Sequence, residues 1–405
     1  MTAALLLARY GIPSIIVDQD NKLSDGSRAI AYHHSSLGVW ERLGAGAPIL
    51  AKGIAWNTRH TFLGEKKLYT QSFALEHPDL LPRFLNLQQT YLEEFLLTKI
   101  KSEPLITLHW EHKVVGYAET DSGISLSIVT TNGTKQLTGA YALACDGAHS
   151  TMRHLLELDF PGQTFQDLFL IVDIKADLDS KNEPRFYFDH PAHDGPSVLI
   201  HPQPDGIWRL DWQIGADVDI EVECSPEKMD ARIRALIGET PYEIVWLSHY
   251  RFHQRLLNEF KHGRIIFIGD SAHLVAPFGA RGLNSAVLDA ENLTWKLALV
   301  LHGKAPASLI DSFQAECWLA QQENQRVTIN TMRFMAPNTK GLLRRKNFIL
   351  WMNRFWTGAR KWVDSGKMVK PFVYAQSPLN QKDGMGETWT HALPLGARVD
   401  DRIVE

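Results

Sequence analysis

The feature that most constrains the fold is a strand, a glycine-rich turn and a long amphipathic helix, which follow one another between residues 264 and 306. Arg264–Ile268 is predicted to be a buried strand, Gly269-Asp270 ends it, and a helix is predicted from about Asn284 to Leu301. The intervening loop contains three residues with special backbone properties, Pro277, Gly279 and Gly282. Glycines let backbone amides approach a ligand closely, and a helix N-terminus carries partial positive charge. A carboxylate beside such a helix end indicates a site for an anionic ligand with hydroxyl groups.

The N-terminal segment has the pattern of half a dinucleotide-binding unit. Thr2–Tyr10 is predicted to be a buried helix that ends at Gly11, and Ile15–Val17 a short strand that ends in Asp18. In a βαβ unit the acid at this strand end binds a ribose hydroxyl, about 20 residues after a G-x-G-x-x-G fingerprint. That fingerprint would fall before Met1, so we expect that the chain lacks part of its natural N-terminus, through a misplaced start codon or a truncation. The alternative is an ordinary Ala/Leu-rich helix before a strand.

A second glycine turn lies near residue 147. Tyr141–Cys145 is predicted to be a strand, Asp146-Gly147 a turn, and Ser150 the N-cap of a short helix. An isolated Asp-Gly pair is a common turn without function. Arg153, however, lies in the first helical turn, where the helix dipole disfavours a cation. Its position indicates a nearby anion such as a pyrophosphate.

The middle of the chain, from about residue 165 to 252, is predicted to be rich in strands. Runs of Phe, Tyr, Trp and His alternate with Pro, Gly and Asp clusters, a pattern typical of hairpins. Such a sheet can wall an apolar pocket for a small ring substrate. Its notable polar groups are His201, Arg209, Tyr250 and His253, but such residues are more often core or surface, so no substrate-binding residue is assigned.

The last part of the chain, from Asp311 to about Val369, is predicted to be helical, with a basic, Trp-containing stretch from Lys346 to Trp362. A basic helix with tryptophans can lie on a membrane. Because this one lacks a clean apolar face in sequence, we interpret it as packed on the body of the protein or at a dimer contact. Beyond Ser377 a tail or linker is predicted.

Several of these segments resemble a known family. Residues 269–298 resemble the G-D motif of class A FAD-dependent aromatic monooxygenases, the para-hydroxybenzoate hydroxylase-like group, and CDGAHSTMR resembles its D-G motif. Three stretches resemble the 3-(3-hydroxyphenyl)propionate hydroxylase-like branch in particular: SDGSRAI, RFLNLQQTYLEEFL and FGARG. The resemblance spans nearly the whole chain. Two features depart from it: the G-x-G-x-x-G is missing, and the chain ends where larger relatives carry a thioredoxin-like domain.

The resemblance implies an α/β fold, in which a Rossmann-like FAD-binding domain, N-terminally incomplete, carries an inserted β-sheet substrate domain and a helical C-terminal segment. The implied division assigns residues 1–160 to the first part of the FAD-binding domain and 161–255 to the substrate domain. Residues 256–330 then form the second part of the FAD-binding domain, with the G-D motif and its helix. Residues 331–405 form the helical C-terminal segment and tail.

The resemblance also implies cofactor-binding positions. Asp18 corresponds to the acid that holds the adenosine ribose, Arg28 to the arginine along the FAD phosphates, and Gln89, with Gln88 as the fallback, to the glutamine on the flavin side. The D-G motif is associated with FAD and the reduced nicotinamide, here through Asp146, Gly147 and Arg153. Asp270 corresponds to the acid on the ribityl chain, and five residues correspond to the lining of the isoalloxazine: Pro277, Gly279, Gly282, Leu283 and Asn284. Each of three positions also has an ordinary structural explanation. Asp18 is compatible with a solvated strand end, Arg28 with a surface cation, and Gln89 with a helix cap. No catalytic residue is identified, and no metal site is predicted.

The implied activity is hydroxylation of a phenolic substrate by an FAD enzyme that uses NADH or NADPH and O₂. Three alternatives stay open: a flavin-dependent halogenase, a flavin reductase of the same fold, and a truncated remnant or subunit that does not bind FAD. A halogenase is expected to contain a W-x-W-x-I-P segment, which Trp208–Trp212 does not match.

Composition limits the partners and the compartment. A formal net charge of −4 gives no overall electrostatic footprint for nucleic acid or for an anionic membrane. No apolar run reaches the roughly 18 residues of a membrane span. The cysteines are odd in number and far apart, namely Cys145, Cys224 and Cys317, which favours a reducing compartment. We therefore expect a cytoplasmic enzyme with a small aromatic substrate and O₂ as partners, no nucleic acid, no transmembrane segment, and a homodimer as one possible assembly.

Overall fold

The computed structural model describes residues 1–26, 28–73, 81–178, 182–191, 195, 197–216, 218–337, 339–353, 355–380 and 395–397. Within them the α-helices, in chain order, are α1 (Thr2–Arg9), α2 (His34–Arg42), α3 (Gly46–Lys52), α4 (Gln89–Lys101), α5 (Thr151–Leu155), α6 (Ile220–Glu223), α7 (Pro226–Ile237), α8 (Gly282–Leu301), α9 (Asp311–Met335) and α10 (Lys340–Met352). Short 3₁₀ helices span Gly269–Ser271, Ala307–Ile310 and Thr357–Trp362.

The strands, numbered in the same way, are β1 (Ser14–Val17), β2 (Ala31–His33), β3 (Ile54–Trp56), β4 (Thr58–Leu63), β5 (Lys66–Ser72), β6 (Phe84–Asn86), β7 (Ile106–His109), β8 (Lys113–Thr120), β9 (Gly123–Thr130), β10 (Gly133–Gly139), β11 (Ala142–Ala144), β12 (Gly162–Ala176), β13 (Arg185–Phe188), β14 (Ser197–Gln203), β15 (Ile207–Ile214), β16 (Tyr242–Leu256), β17 (Lys261–His262), β18 (Ile265–Phe267) and β19 (His273–Leu274).

The part of the fold that carries both glycine turns is built on parallel strand pairs. Strand β1 pairs in parallel with β7, and β11 pairs in parallel with β18. Ile265–Phe267 is fully buried, as expected for a strand covered on both faces. Helix α1 packs on α8, which buries the apolar run Ala3–Ala8 in the same hydrophobic core. The predicted α/β class is therefore confirmed.

The largest sheet has the strand order β19-β16-β12-β15-β14-β13-β4-β5 and is antiparallel apart from the β13–β4 pair. One of its faces packs on α7, where Leu210 and Trp212 meet Met229 and Ile233. The opposite face packs on the loop before α8 and on helices α9 and α10. The large sheet is thus placed against the loop that leads into α8.

Two features of this region differ from the sequence prediction. Strands β4 and β5 lie in the range 1–160 assigned to the FAD-binding domain, but they extend the large sheet, because β4 pairs with β13 along Arg185–Phe188. Helix α7 interrupts the stretch predicted to be β-rich. It begins after Ser225, which caps it, with Pro226 at its first position. The other predicted domain boundaries stay predictions.

The remaining elements complete the scaffold around these two parts. Strands β8, β9 and β10 form an antiparallel meander, and β6 lies between β2 and β3 in a small sheet. Helix α8 begins two residues before its predicted start, at Gly282. Among the described residues, no helix combines the length and the apolar composition needed to cross a membrane. The tail predicted beyond Ser377 falls largely outside the described residues.

Candidate cofactor and substrate site

The turn after β18 places Asp270 beside α8. Gly269 has a φ of 64°, and a Cβ at this position would lie 2.8 Å from the Ala286 side chain. Only glycine therefore allows the turn and the helix to approach so closely. Asp270 is accessible to solvent, yet the protein around it raises the pKa of its carboxyl, while the charges of His273 and Arg28 lower it. Accessibility together with surrounding protein is typical of a side chain in a cleft.

A buried histidine–aspartate pair supports this turn from behind. His273 is fully buried, and its Nε2 lies 2.5 Å from Asp289 Oδ2 on α8. Gln321 of α9 donates to the other oxygen of Asp289 at 3.2 Å. The pair links β19, directly after the turn that carries Asp270, to α8 and α9.

The loop before α8 is held by close backbone contacts. Gly279 has a φ of 83°, and a Cβ there would lie 2.0 Å from the Lys367 carbonyl oxygen. The Val369 amide donates to the Gly279 carbonyl at 2.8 Å. The buried Arg281 side chain, which the sequence did not single out, donates to Asn324 Oδ1 at 2.6 Å and to the Lys367 carbonyl. These bonds fasten the loop to residues 367–369.

The first turn of α8 leaves backbone N–H groups available. No side chain in the described part of the chain caps the helix, and Gly282 is its first residue. The opening N–H groups of a helix have no intrahelical acceptor, so they and the dipole favour a negative or carbonyl oxygen. Leu283 is half-buried and packs on the hydrophobic core, and Pro277 is exposed at the edge of the loop.

The side chain of Asn284, a residue that the resemblance places in the lining of the isoalloxazine, is fully hydrogen-bonded within the protein. Its Oδ1 accepts from the His33 amide at 2.9 Å and from Ser36 Oγ at 2.8 Å. Its Nδ2 donates to the Ala31 carbonyl at 3.0 Å and the Ala280 carbonyl at 2.7 Å. An asparagine amide has no further hydrogen-bonding capacity. The side chain therefore holds α8 to β2 and α2, which leaves only the backbone of Asn284 to contact a cofactor.

Arg28 and Gln89 are brought together near the same cleft. Gln89 is the first residue of α4, and its Oε1 accepts from the Ala29 amide at 3.3 Å while its Nε2 donates to Glu93 at 2.7 Å. Arg28 is exposed and close enough to Asp270 to influence its pKa. The fallback residue, Gln88, instead donates weakly to the Pro204 carbonyl at 3.5 Å.

Asp18 lies apart from these residues. It follows β1 and is exposed, and its carboxylate accepts from the Asp20 amide at 3.0 Å. No hydrogen bond within the described part of the chain joins it to another predicted cofactor position. Its location at the carboxyl end of a parallel strand is nevertheless where a nucleotide-binding acid is found.

The D-G turn is connected to the G-D turn by Arg153. Ser150 caps α5, as predicted, by accepting from the Arg153 amide at 3.0 Å, and Asp146 accepts from the Met152 amide at 3.0 Å. Gly147 has a φ of 75°. The buried Arg153 guanidinium donates to the Ala148 carbonyl at 2.6 Å and to the Ser271 carbonyl at 3.2 Å. Arg153 thus holds the two turns together, and this explains a cation in the first helical turn without an anion.

These residues fit an FAD molecule chemically. Carboxylates at Asp18 and Asp270 suit the hydroxyls of a ribose and a ribityl chain, and the Arg28 guanidinium suits a phosphate. The uncapped N-terminus of α8 suits the electron-rich edge of a flavin ring. Gly279 leaves room for the Lys367 carbonyl, whereas a Cβ at Gly282 would have its nearest contact at 3.9 Å, so a flat ring would find space at the start of α8.

Arg209 joins the large sheet to this cleft. On β15, Arg209 donates to both oxygens of Asp173, at 2.9 and 3.2 Å, and to the carbonyl of Arg28. Trp246 of β16 lies over Gly26, where a Cβ would be 2.7 Å from its ring. One face of the sheet therefore borders the loop that carries Arg28.

The same face contacts the loop before α8 at a second point. Phe169, which pairs with Gln213, has its ring 5.7 Å from that of Phe278, and Phe252 packs on both. Side chains two residues apart in a strand share a face. Asp211, between Arg209 and Gln213, therefore lies on this face, between its two contacts with the cofactor cleft.

Two ionisable groups on this face have buried polar atoms without partners. Two atoms are buried, Asp211 Oδ1 and His201 Nδ1, and neither forms a hydrogen bond with any residue that the structure describes. Burial raises the pKa of Asp211 to about 7, although Arg209 opposes the shift. Burial, with the charges of Arg209 and Arg59, lowers the pKa of His201 to about 3. Strand register places them diagonally on neighbouring strands, since Arg209 pairs with His201 and Asp211 pairs with Leu199.

Buried polar atoms usually have a hydrogen-bond partner. Because Asp211 and His201 lie on the face that borders the cofactor cleft, they are candidates to bind a polar atom of a ligand. His201 and Arg209 were noted from the sequence, but Asp211 was missed. The signal for it is the strict alternation in IWRLDWQI, which places Arg209, Asp211 and Gln213 together.

Comparison with known proteins agrees with this geometry. A family model described as an FAD binding domain matches residues 1–328. The chain belongs to this FAD-binding family.

Its relatives are aromatic monooxygenases. Para-nitrophenol 4-monooxygenase of Pseudomonas sp. strain WBC-3 is 26% identical over 323 residues, which cover 78% of this chain and 79% of the relative. The 6-hydroxy-3-succinoylpyridine 3-monooxygenase of Pseudomonas putida is 27% identical, with 78% and 81% covered. The 3-(3-hydroxy-phenyl)propionate/3-hydroxycinnamic acid hydroxylase of Mycolicibacterium smegmatis is 25% identical, and the match spans 84% of this chain but only 60% of that protein.

Solved structures share the fold. The p-nitrophenol 4-monooxygenase PnpA of Pseudomonas putida DLL-E4 superposes with a TM-score of 0.77 at 22% identity, covering 89% of this chain and 92% of PnpA. The flavin-dependent monooxygenase PieE, solved with FAD and substrate, has a TM-score of 0.75 at 20% identity, with 88% and 70% covered. The predicted resemblance to class A FAD-dependent aromatic monooxygenases and the predicted FAD cofactor are confirmed. The individual cofactor positions stay predictions.

Proposed function

We propose that this chain binds FAD in the cleft beside Asp270 and uses NADH or NADPH and O₂ to hydroxylate a phenolic ring. Family membership, the activities named for its relatives and the chemistry of the cleft support this proposal. FAD, when bound, supplies the redox chemistry, in which reducing equivalents from the nicotinamide activate O₂ to deliver one oxygen atom to the ring.

The observation that carries the proposal is the pair of unpartnered buried atoms, Asp211 Oδ1 and His201 Nδ1. A phenol becomes more reactive toward an electrophile when its hydroxyl proton is removed, and a general base works best with a pKa near the operating pH. Asp211, with a pKa of about 7, meets that condition. We assign to Asp211 the acceptance of the phenol proton, and to His201, neutral at this pH, a hydrogen bond to the phenol oxygen.

Other residues of the chain orient the reactants and exclude water. Asp270 and Arg28 would hold the polar parts of the cofactor, and the N–H groups of the first turn of α8 would be available to its ring system. The cluster formed by Phe169, Phe252 and Phe278 keeps water from the side of the sheet that borders the α8 loop. A dry apolar wall strengthens the electrostatic contacts inside the site.

The first experiment is the visible absorbance spectrum of the purified chain with and without added FAD. Oxidation of NADH and NADPH is then measured with 4-nitrophenol and with 3-(3-hydroxyphenyl)propionate, and products are analysed by mass spectrometry. A bound-flavin spectrum and a product heavier by one oxygen atom are expected. Nicotinamide oxidation without ring oxygenation would identify a reductase, and a chain that takes up no FAD would identify a non-binding remnant or subunit. Either result would overturn the proposal.

Two finer expectations belong to the same proposal. A homodimer is tested by sedimentation velocity over a range of protein concentrations. A cytoplasmic location, suggested by cysteines that are all free, is tested by fractionation of the cells that produce the chain.

A further inference from the structure

One segment differs in composition from the rest of this acidic chain. The 24 residues Lys340–Val363 contain seven Lys and Arg and no Asp or Glu, whereas the whole chain has a net charge of −4. The same segment contains five aromatic residues. Neither the cofactor cleft nor the pair on the large sheet uses this combination of cations and aromatic rings.

The five aromatic side chains point outward. Their exposed fractions are between 50% and 76%, and we call them the aromatic patch: Phe348, Trp351, Phe355, Trp356 and Trp362. Phe348, Trp351 and Phe355 form a continuous row, with ring centroids 6.0 and 5.3 Å apart. Spacings of three and four residues place such a row on one side of a helix and its end.

The inner side of α10 is already packed. Ile349 and Leu350 are buried in the hydrophobic cluster with Phe188, and Lys346 is buried with its Nζ 5.4 Å from the centre of the Phe188 ring. The helix therefore cannot turn its aromatic residues inward. From the sequence we interpret this helix as packed on the body of the protein. That interpretation explains the inner side of α10 but not its exposed aromatic side.

Cations surround the aromatic patch without neutralisation. Arg344, Arg345, Arg360 and Lys361 are all exposed. None of them forms a salt bridge with any residue in the described part of the chain. Large exposed apolar areas on a soluble protein indicate an interaction surface. Because the charged groups around this one are cations, its partner is expected to carry negative charge.

A second copy of the chain is a poor occupant, because a two-fold contact through this patch would place like charges opposite one another. A bilayer surface with anionic headgroups fits both components. Tryptophan and phenylalanine favour the headgroup level of a membrane, and each nearby Lys or Arg adds attraction to anionic lipid.

We propose that the aromatic patch and its four cations dock this chain on a membrane surface that contains anionic lipid. The contact is peripheral: α10 lies along the surface, its aromatic row enters the headgroup region, and the arginines bind lipid phosphates. This inference does not depend on the proposed hydroxylase activity.

The test is flotation of the full chain, loaded with FAD if it binds it, with vesicles of phosphatidylcholine alone or with added phosphatidylglycerol. We expect binding only to the anionic vesicles, weakened by salt. The charge variant Arg344→Gln/Arg345→Gln should lower the partition coefficient about 25-fold, since each cation contributes about fivefold. The aromatic variant Trp351→Ser/Phe355→Ser should lower it about tenfold or more.

Matched controls separate the patch from general surface effects. Lys66→Gln/Lys67→Gln removes an adjacent pair of exposed cations from β5, and Val115→Ser/Val129→Ser removes apolar side chains that are each 41% exposed. Both controls should bind as the unmodified chain does, and circular dichroism should show that all variants are folded. Absence of binding to anionic vesicles, or equal losses in patch and control variants, would overturn the proposal. Two further results would overturn the proposal. One is sedimentation showing that the patch variants abolish a dimer. The other is a mixing assay in which an acidic protein binds the patch and is not displaced by anionic vesicles.

Discussion

Arg209 donates to the main-chain carbonyl of Arg28 while its guanidinium also holds both carboxylate oxygens of Asp173. One side chain on the large sheet thereby positions the loop that carries the predicted phosphate ligand. The contact connects the substrate side of the molecule to the cofactor side. Arg209 is buried, so its hydrogen bonds are made in a region from which water is largely excluded.

Substitution of Arg209 separates its two roles. Arg209→Met leaves the buried Asp173 without its cation, which should lower the free energy of unfolding by about 3–5 kcal/mol. Arg209→Lys keeps a charge for Asp173 but loses the planar fork that also reaches Arg28, so it should weaken FAD binding with a smaller loss of stability. Urea denaturation and a flavin fluorescence titration measure the two effects. If the lysine variant binds FAD as tightly as the unmodified chain, the Arg28 contact does not position the loop.

Asp211 should make folding stability depend on pH. Its pKa in the folded chain is about 7, above the ordinary 3.8, so the folded state binds the proton more tightly than the unfolded state. The contribution of this group to the free energy of unfolding is therefore fully present below about pH 4. It is lost as the pH rises toward 7, with a slope of at most about 1.4 kcal/mol per pH unit. Urea denaturation across this range should show the decline, and Asp211→Asn should remove it. An unchanged slope in the variant would show that another group is responsible.

The same carboxyl should control hydroxylation in the opposite direction. Only the deprotonated form accepts the phenol proton, so kcat/KM should rise with pH through an apparent pKa near 7. Asp211→Asn should reduce hydroxylation by about 10²–10⁴-fold. FAD binding should be unaffected, because Asp211 is on the sheet and not on the cofactor loops. A variant that retains full turnover would exclude Asp211 as the base.

Local patterns were sufficient for the cofactor half of the molecule. A strand, a glycine turn and an apolar helix face predict β18, the turn at Asp270 and α8, because each depends on neighbours in sequence. The boundaries of α8 differ by only two residues at its start. The roles of Asn284 and Arg153 were not predictable in this way, because their hydrogen bonds go to residues distant in sequence, such as His33 and Ser271.

The substrate half of the molecule could not be predicted in the same way, because its strands pair with residues that are distant in sequence. Strand β4 joins the large sheet through β13, more than 120 residues later in the chain. Helix α7 had a local signal, namely Ser225 as N-cap and Met229 and Ile233 on one face, but the strand-rich surroundings obscured it. Asp211 is an ordinary strand residue by sequence. The alternation in IWRLDWQI places it on one face with Arg209 and Gln213, but its proposed role also rests on the lack of a partner for Oδ1 among the described residues, which only the packed sheet shows.

The loop before α8 provides a test of close backbone packing. Gly279→Ala would place a methyl group 2.0 Å from the Lys367 carbonyl at a φ of 83°, so both the loop and residues 367–369 must shift. Gly303→Ala is the control, since its φ is 66° but no atom of the described residues lies within 4 Å of the added group. The control should lose about 1 kcal/mol of stability from backbone strain alone. Gly279→Ala should lose more and should also weaken FAD binding, as measured by thermal unfolding and fluorescence titration. Equal losses in the two variants would show that the close approach has no consequence.

A buried ion pair joins α8 to α9 behind the cofactor cleft. Lys296 is fully buried, and its Nζ donates to Glu316 Oε2 at 2.5 Å and to Asn292 Oδ1 at 2.8 Å. Burial by itself would raise the pKa of Glu316, but its hydrogen bonds to Lys296, Ser377 and Asn292 outweigh that effect and lower it. The stability that this carboxylate contributes is therefore present at neutral pH and lost as the pH falls below its ordinary range.

Removal of one partner should be far more costly than removal of both. Lys296→Met leaves a buried carboxylate without its cation, and Glu316→Leu leaves a buried ammonium, so each should lower the free energy of unfolding by about 3–5 kcal/mol. The double variant Lys296→Met/Glu316→Leu replaces the pair with apolar groups and should recover most of that loss. Urea denaturation of all four proteins at neutral pH gives the coupling energy directly. If the losses of the two single variants add in the double variant, the two charges stabilise the helices independently. That result would contradict the prediction, because both charges share hydrogen bonds with Asn292.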